Sequence, residues 1–198
     1  MNSQLETADL QRLAQAHRWI DASTTFHALC QAYVDRHDVD GLVKVMRSQL
    51  ESVCPVDAVA AVDSCFAAVT EFEAELRVAF KAAVNRAAGR SDVAAIYCEY
   101  FYDGGDCSSI DVFLCQSFTR SNDHWASEFL QSDRVNGPNI QALLNYDREL
   151  QLDPCADFIA SSYAYTLLLR VFAHAVNSCK ENALPVGFAE HDGLIIYF

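Results

Sequence analysis

The sequence predicts an α+β protein, with a helical N-terminal half and a small antiparallel sheet packed on helices. Three observations lead there. Apolar residues recur at helical spacing through the first ninety positions. Two segments, about 93–118 and 186–198, read as β-hairpins around Asp- and Gly-rich turns. Asp153-Pro154 opens a long apolar helix that lies between them in the chain.

Taken in order, Leu10, Leu13, Ala14, His17 and Ile20 form the stripe of a first helix over about 6–20. Asp21, Ser23 and Thr24 are capping candidates for a second, whose stripe is Phe26, Leu29, Cys30, Tyr33 and Val34. Asp38 to Asp40 ends it and caps a third, striped by Leu42, Val43, Met46 and Leu50. Pro55 suits the first turn of a fourth, and Val59, Val62, Phe66, Val69, Phe72, Leu76, Phe80 and Val84 keep the period almost to Gly89. Whether that helix is continuous or broken near Asp63-Ser64 is left open by the spacing. At Gly89 the period changes. Val93 to Tyr102 is dense in aromatic and β-branched residues, Ile110 to Phe118 alternates, and Asp103-Gly104-Gly105-Asp106 lies between them. A helical stretch is expected around Asp123 to Leu130, and another from Gly137-Pro138 to about Leu150. The helix opened by Asp153-Pro154 should run to about Lys180, with so little polar face that it belongs in the interior. Asp192-Gly193 then turns the closing hairpin, with Asp192 suited to left-handed backbone. No internal repeat or linker is evident, so residues 1–198 are expected to form a single domain, with a helical lobe over about 1–90 and an α+β lobe over about 91–198.

At 198 residues and 52% hydrophobic, with 7 Gly and 4 Pro, the chain can bury enough surface to offset its ordering entropy. The most apolar stretch, Thr166 to Val176, is interrupted by Arg170 and His174 and falls short of the roughly 20 residues a bilayer needs. The polar N-terminus does not resemble a secretion signal, so a cytoplasmic location is expected. Eight cysteines without CxxC spacing, mostly among apolar neighbours, are expected to be buried free thiols rather than bridges or zinc ligands. Net charge is −13, unevenly distributed. Residues 1–90 hold 12 acidic and 9 basic side chains, and residues 91–198 hold 15 and 5, giving −3 and −10. Such a balance disfavours nucleic acid and anionic membranes, which need Lys and Arg, and favours a basic protein partner.

No nucleophile elbow, P-loop or dinucleotide fingerprint occurs, so no cofactor is expected. The carboxylates Glu99, Asp103, Asp106 and Asp111 gather on the first hairpin. Their spacing is not that of a calcium loop, so no metal is expected either. Turn formation and a solvated, pairing-resistant strand face explain them equally well. Aromatics beside acids, namely Tyr100 and Tyr102 with Asp103 and Asp106, then Asp123 and Trp125, are the mixture of a specific protein interface. Aromatics anchor such a surface and charges steer the encounter. The predicted partner-binding set is therefore Glu99, Tyr100, Tyr102, Asp103, Asp106, Asp111, Asp123 and Trp125. Two rivals stand beside it. One is a small cytoplasmic enzyme using the hairpin carboxylates or Glu190, His191 and Asp192, although a turn is the simpler account of that last trio. The other is a structural homo-oligomer that buries the aromatic edge against itself.

The segments YCEYFYDGGD (97–106), WASEF around Trp125 and GFAEHDG (187–193), in a small acidic chain, resemble in type the cytoplasmic immunity proteins of bacterial toxin–immunity pairs. The resemblance implies a protein that blocks a toxin's active site. It carries no residue roles.

Overall fold

A computed structural model of the protein describes residues 3–103, 106–138, 152–179 and 183–198. Side chains are described throughout these segments except at 3–8, 61, 65, 66, 68, 102, 103 and 106–108. The fold is α+β. In chain order it comprises α1 (Ser3–Gln15), α2 (Trp19–Asp35), α3 (Val39–Val53), α4 (Val56–Ala87), β1 (Ala95–Asp103), β2 (Asp106–Cys115), a single 3₁₀ turn (His124–Ser127), β3 (Phe129–Asn136), α5 (Pro154–Ser178), β4 (Val186–Glu190) and β5 (Ile196–Tyr197). The helix expected over about 137–150 lies, but for its first two residues, outside the described residues.

The chain forms two compact units. Unit 1 comprises Met1–Ala67 with Ile140–Arg170, and unit 2 comprises Ala68–Asn139 with Val171–Phe198. The change of period at Gly89 thus marks the approach to β-structure, whereas the units divide within α4 and α5.

In unit 1, two interhelical turns share one hydrogen-bond pattern twenty residues apart. At the end of α1, His17 N donates to Ala14 O and Arg18 N to Leu13 O. At the end of α2, His37 N donates to Val34 O and Asp38 N to Tyr33 O. His17 and His37 both sit at φ 56°, the left-handed position that closes a helix and is usually glycine. The first turn ends α1 before the expected stripe is complete, so Ile20 belongs to α2 and is 84% exposed. As expected, Asp38 caps α3, its carboxylate accepting from Gly41 N, and Asp153 caps α5, accepting from Cys155 N and Ala156 N. Helix α4 is continuous over 32 residues. Asp63, a possible breaker, instead holds Arg47 of α3 in an ion pair from within the helix.

In unit 2 the five strands lie in the order β3-β2-β1-β4-β5. Both predicted hairpins form, β1 with β2 and β4 with β5. The sheet is nevertheless mixed, because β1 and β4 pair in parallel, Ile96 opposite Val186 and Cys98 opposite Phe188. The region expected to be helical around Asp123 to Leu130 contains only the 3₁₀ turn before chain direction is taken over by pairing of β3 with β2. Polar and non-alternating, the sequence FLQSDRVN carries no strand pattern; the neighbouring strand supplies its conformation.

One sheet face is apolar across its middle, with Gln131, Asp133 and Glu190 at its margins. Ile96, Cys98 and Tyr100, Ile110, Val112 and Leu114, Val186 and Phe188, and Ile196 are all buried. Phe188 stacks on Phe172 of α5 at 4.5 Å, and Phe172 meets Phe80 of α4 at 6.1 Å, so this face packs on the parts of α4 and α5 that belong to unit 2. Helix α5 is long and apolar enough to cross a membrane by length and composition, which differs from the expectation that no segment would be. Of its most apolar window, 67% is buried inside the protein, so that composition serves the core.

Candidate functional site

The opposite face of the sheet is divided into an apolar end and a charged end, and the candidate site is built from this division. At the apolar end Ala95, Tyr97, Cys115, Trp125, Ala189 and Ile195 form a second cluster, with Phe113, Phe118 and Tyr197 against it. Trp125 is 1% exposed and meets Tyr97 edge-on at 5.7 Å and Phe118 at 5.1 Å. Its seat exists because β4 has Gly187 there: a Cβ at that position would stand 2.9 Å from the indole. The 3₁₀ turn is therefore a peg that closes this face of the sheet.

At the charged end, strand register produces a row. Arg134 lies opposite Asp111, Asp111 opposite Glu99, and Glu99 opposite Ala189, two residues before His191. Two carboxylates directly across a strand pair repel. The flanking residues offset this. Arg134 donates to both Asp111 oxygens at 2.9 and 3.0 Å, and His191 Nδ1 lies 3.3 Å from Glu99 Oε1. Tyr97 OH donates to Glu99 at 3.2 Å, and burial followed by the Glu99 carboxylate pushes its phenol up. Phe101 packs against the His191 ring at 4.6 Å, with the Arg134 guanidinium 5.9 Å away on its face. His191 N donates to Tyr100 O, which extends the β1–β4 ladder and fixes where the imidazole leaves the backbone. An imidazole oriented by a carboxylate, with its side chain 53% exposed, has the form of a general acid/base pair.

The predicted residues are thus separated. Glu99 and Asp111 meet on one face, whereas Tyr100 is buried on the other, its hydroxyl donating to Glu190 at 3.3 Å. Trp125, expected as a surface anchor, is core. Asp123 is exposed and accepts from Tyr197 OH at 3.0 Å. The side chains of Tyr102, Asp103 and Asp106 lie outside the described residues. Of the Glu190-His191-Asp192 trio, Glu190 takes Tyr100, while His191 Nδ1 lies 3.3 Å from Glu99 and its Nε2 3.7 Å from Asp192, which turns the chain at φ 60° with its carboxylate 92% exposed. The Glu99–His191 pairing was missed because it depends on the parallel β1–β4 register, and the role of Arg134 because it depends on the β2–β3 register. Their signal was present only as the same-face spacing of Tyr97, Glu99 and Phe101.

Six described cysteines, Cys30, Cys54, Cys98, Cys115, Cys155 and Cys179, are free and buried. Burial pushes Cys54 up to about 11 and Cys115 up to about 12, and raises Cys30, Cys98 and Cys155 as well, which suits thiols used as apolar filling rather than as nucleophiles. Cys98 and Cys115 occupy opposite sheet faces. Among the described residues, no group of three or more His, Cys, Asp or Glu is placed to hold a metal ion. The chain matches no family model, no curated protein and no solved structure.

Proposed function

We propose that this chain is an acidic, cytoplasmic protein-binding module that covers a basic site on a partner protein, with the outer edge of β3 as its principal contact. The observation that supports it is the exposure of Phe129 and Leu130, 47% and 37%, on a sheet-edge strand that pairs with β2 alone among the described residues. Asp123, which accepts from Tyr197, and Glu128, which accepts from Ser117, precede them in the chain and are exposed. An edge strand offers a row of backbone donors and acceptors to an incoming strand, and apolar side chains on it become anchors when water leaves. Leu130 has no partner in the register between Leu114 opposite Gln131 and Cys115 opposite Phe129. That bulge blunts the edge against indiscriminate pairing and leaves Gln131 to Asn136 for a partner that fits. Acids beside the anchors favour a basic segment and speed its arrival. An immunity protein that occludes a toxin's active site would work in this way.

The test is binding kinetics with the partner cross-linked to β3 in the native host. Association should slow steeply with salt and with charge reversal at Asp123 and Glu128. Phe129→Ala should speed dissociation on the order of tenfold or more. Reversal at Asp103 and Asp106 measures what the hairpin tip adds. Unchanged rates in the Phe129 and Asp123/Glu128 variants would remove β3 from the interface. Sedimentation that finds a dimer dissolved by Phe129→Glu would assign the edge to a second copy of the chain. A second reading, a small enzyme, rests on the 3.3 Å Glu99–His191 contact. Turnover of a small molecule lost in both Glu99→Gln and His191→Gln, in folded protein, would favour it.

A further inference from the structure

Independently of the sheet, we propose that unit 1 binds the organic ammonium group of a small molecule in an aromatic hollow between the α1–α2 turn and the first turns of α5. The hollow, about 410 Å³, is lined by His17, Trp19, Pro154, Asp157, Phe158 and Ser161. Its α5 residues fall at helical spacing, so they share one face. Trp19 and Phe158 lie 5.9 Å apart at 43°, and His17 meets Trp19 at 5.4 Å and 76°. Rings set at such angles do not cover one another's faces, and a ring face attracts a cation lodged beside it.

The sign of the ligand follows from the helix end. An empty N-terminus would favour an anion through its unpaired N–H groups. Here Pro154 has no N–H, and Cys155 N and Ala156 N are already donated to Asp153 Oδ1 at 2.9 and 3.1 Å. With Asp153 holding those donors and Asp157 in the lining, two carboxylates oppose an anion and favour a cation. A small metal ion would need several oxygen ligands, and among the described residues of the lining Asp157 is the one carboxylate, so a bulky, weakly hydrated ammonium is the better fit.

The repeated turn supplies an internal control. In the turn at His37 the hydrogen bonds and the left-handed histidine recur, and Val39, 7% exposed, occupies the position that Trp19 holds in the first. The turn therefore accounts for His17's backbone but does not require a tryptophan. Trp19 is half-buried at a position where an aliphatic residue serves the fold.

Tetramethylammonium and choline are the probes, titrated into the full chain and followed by ¹H–¹⁵N NMR, with the uncharged analogue 3,3-dimethylbutan-1-ol as reference. Saturable shifts at the Trp19 indole and the amides of 157–161 are expected, with the cation binding at least tenfold more tightly than the alcohol. Trp19→Leu, which keeps apolar bulk should Trp19→Ala fail to fold, is expected to lose roughly tenfold or more, and Asp157→Asn roughly three- to tenfold. Absence of saturable shifts, equal binding of alcohol and cation, or unchanged affinity in Asp157→Asn would each overturn the proposal.

Discussion

Unit 1 and unit 2 carry almost the same net charge by different means. Unit 1 contains 13 acidic and 7 basic side chains, net −6, and unit 2 contains 14 and 7, net −7. The imbalance between the two halves of the chain disappears because 140–170, with four acids and two bases, belongs to unit 1, while 68–90, with three acids and four bases, belongs to unit 2. Charge asymmetry along a chain is therefore no guide to charge asymmetry in space. The units differ instead in how their charges are held. In unit 1 many are neighbours three or four positions apart in the chain, Arg12 with Asp9, Arg18 with Asp21, Arg47 with Glu51. In unit 2 they meet across strands, Arg134 with Asp111 and His191 with Glu99, on a sheet whose far end is an aromatic cluster. Local pairs occur in both units, Arg77 with Glu73 and Arg90 with Asp92 in unit 2, and unit 1 also joins α3 to α4 through Arg47 and Asp63, but pairing by strand register is found in unit 2.

If that contrast is right, the largest effect belongs to the residue with the most distant partners. Trp125→Ala should cost about 3–5 kcal/mol, since it empties a cluster drawn from β1, β2, β4 and the 3₁₀ turn. Denaturant unfolding measures it, and a loss below about 1 kcal/mol would mean that the peg does not close the sheet. An intermediate effect should appear in alkali. Folded Cys54 and Cys115 hold their protons to about 11 and about 12, against 9.0 for an unperturbed thiol. Their contribution is whole below pH 9, where both states are protonated, and is lost as pH climbs toward 11 to 12, because the unfolded chain ionises first. The unfolding midpoint should fall across that window, and Cys115→Ala should flatten its slope; an unaltered slope would contradict the burial assigned to Cys115. The smallest effects test local organisation. Asp153→Ala removes the carboxylate that caps α5 and should cost about 1 kcal/mol. Arg12→Ala breaks an exposed pair and should cost less than about 0.5 kcal/mol. Thermal melts of the two, side by side, should preserve that order.

The elements most legible in the sequence were those whose signals are short-range. Asp38, Asp153 and the Asp192 turn were readable because a capping carboxylate and a left-handed residue act on backbone groups within three positions. The stripes of α3 and α4 were readable because a helix repeats every 3.6 residues whatever lies beyond it. The two hairpins announced themselves through their turns. The repeated His17 and His37 turns were equally local but carry no glycine, the residue by which such helix ends are ordinarily recognised.

What only the tertiary structure decided is everything that required two distant segments to meet. The parallel β1–β4 pairing turned two antiparallel hairpins into one mixed sheet, and with it placed His191 beside Glu99. Strand β3 formed from a polar stretch because β2 had an edge to offer. Trp125 moved from an expected surface anchor to the core because Gly187 left room for it. By itself the sequence determined the fold class, the starts of α3 and α5 and the hairpin turns, since each is written in neighbouring residues, whereas α2 begins at Trp19, ahead of the expected caps Asp21, Ser23 and Thr24. Which carboxylates share a site, and which aromatic remains exposed, depended on register, and register is a property of pairs of strands rather than of either one.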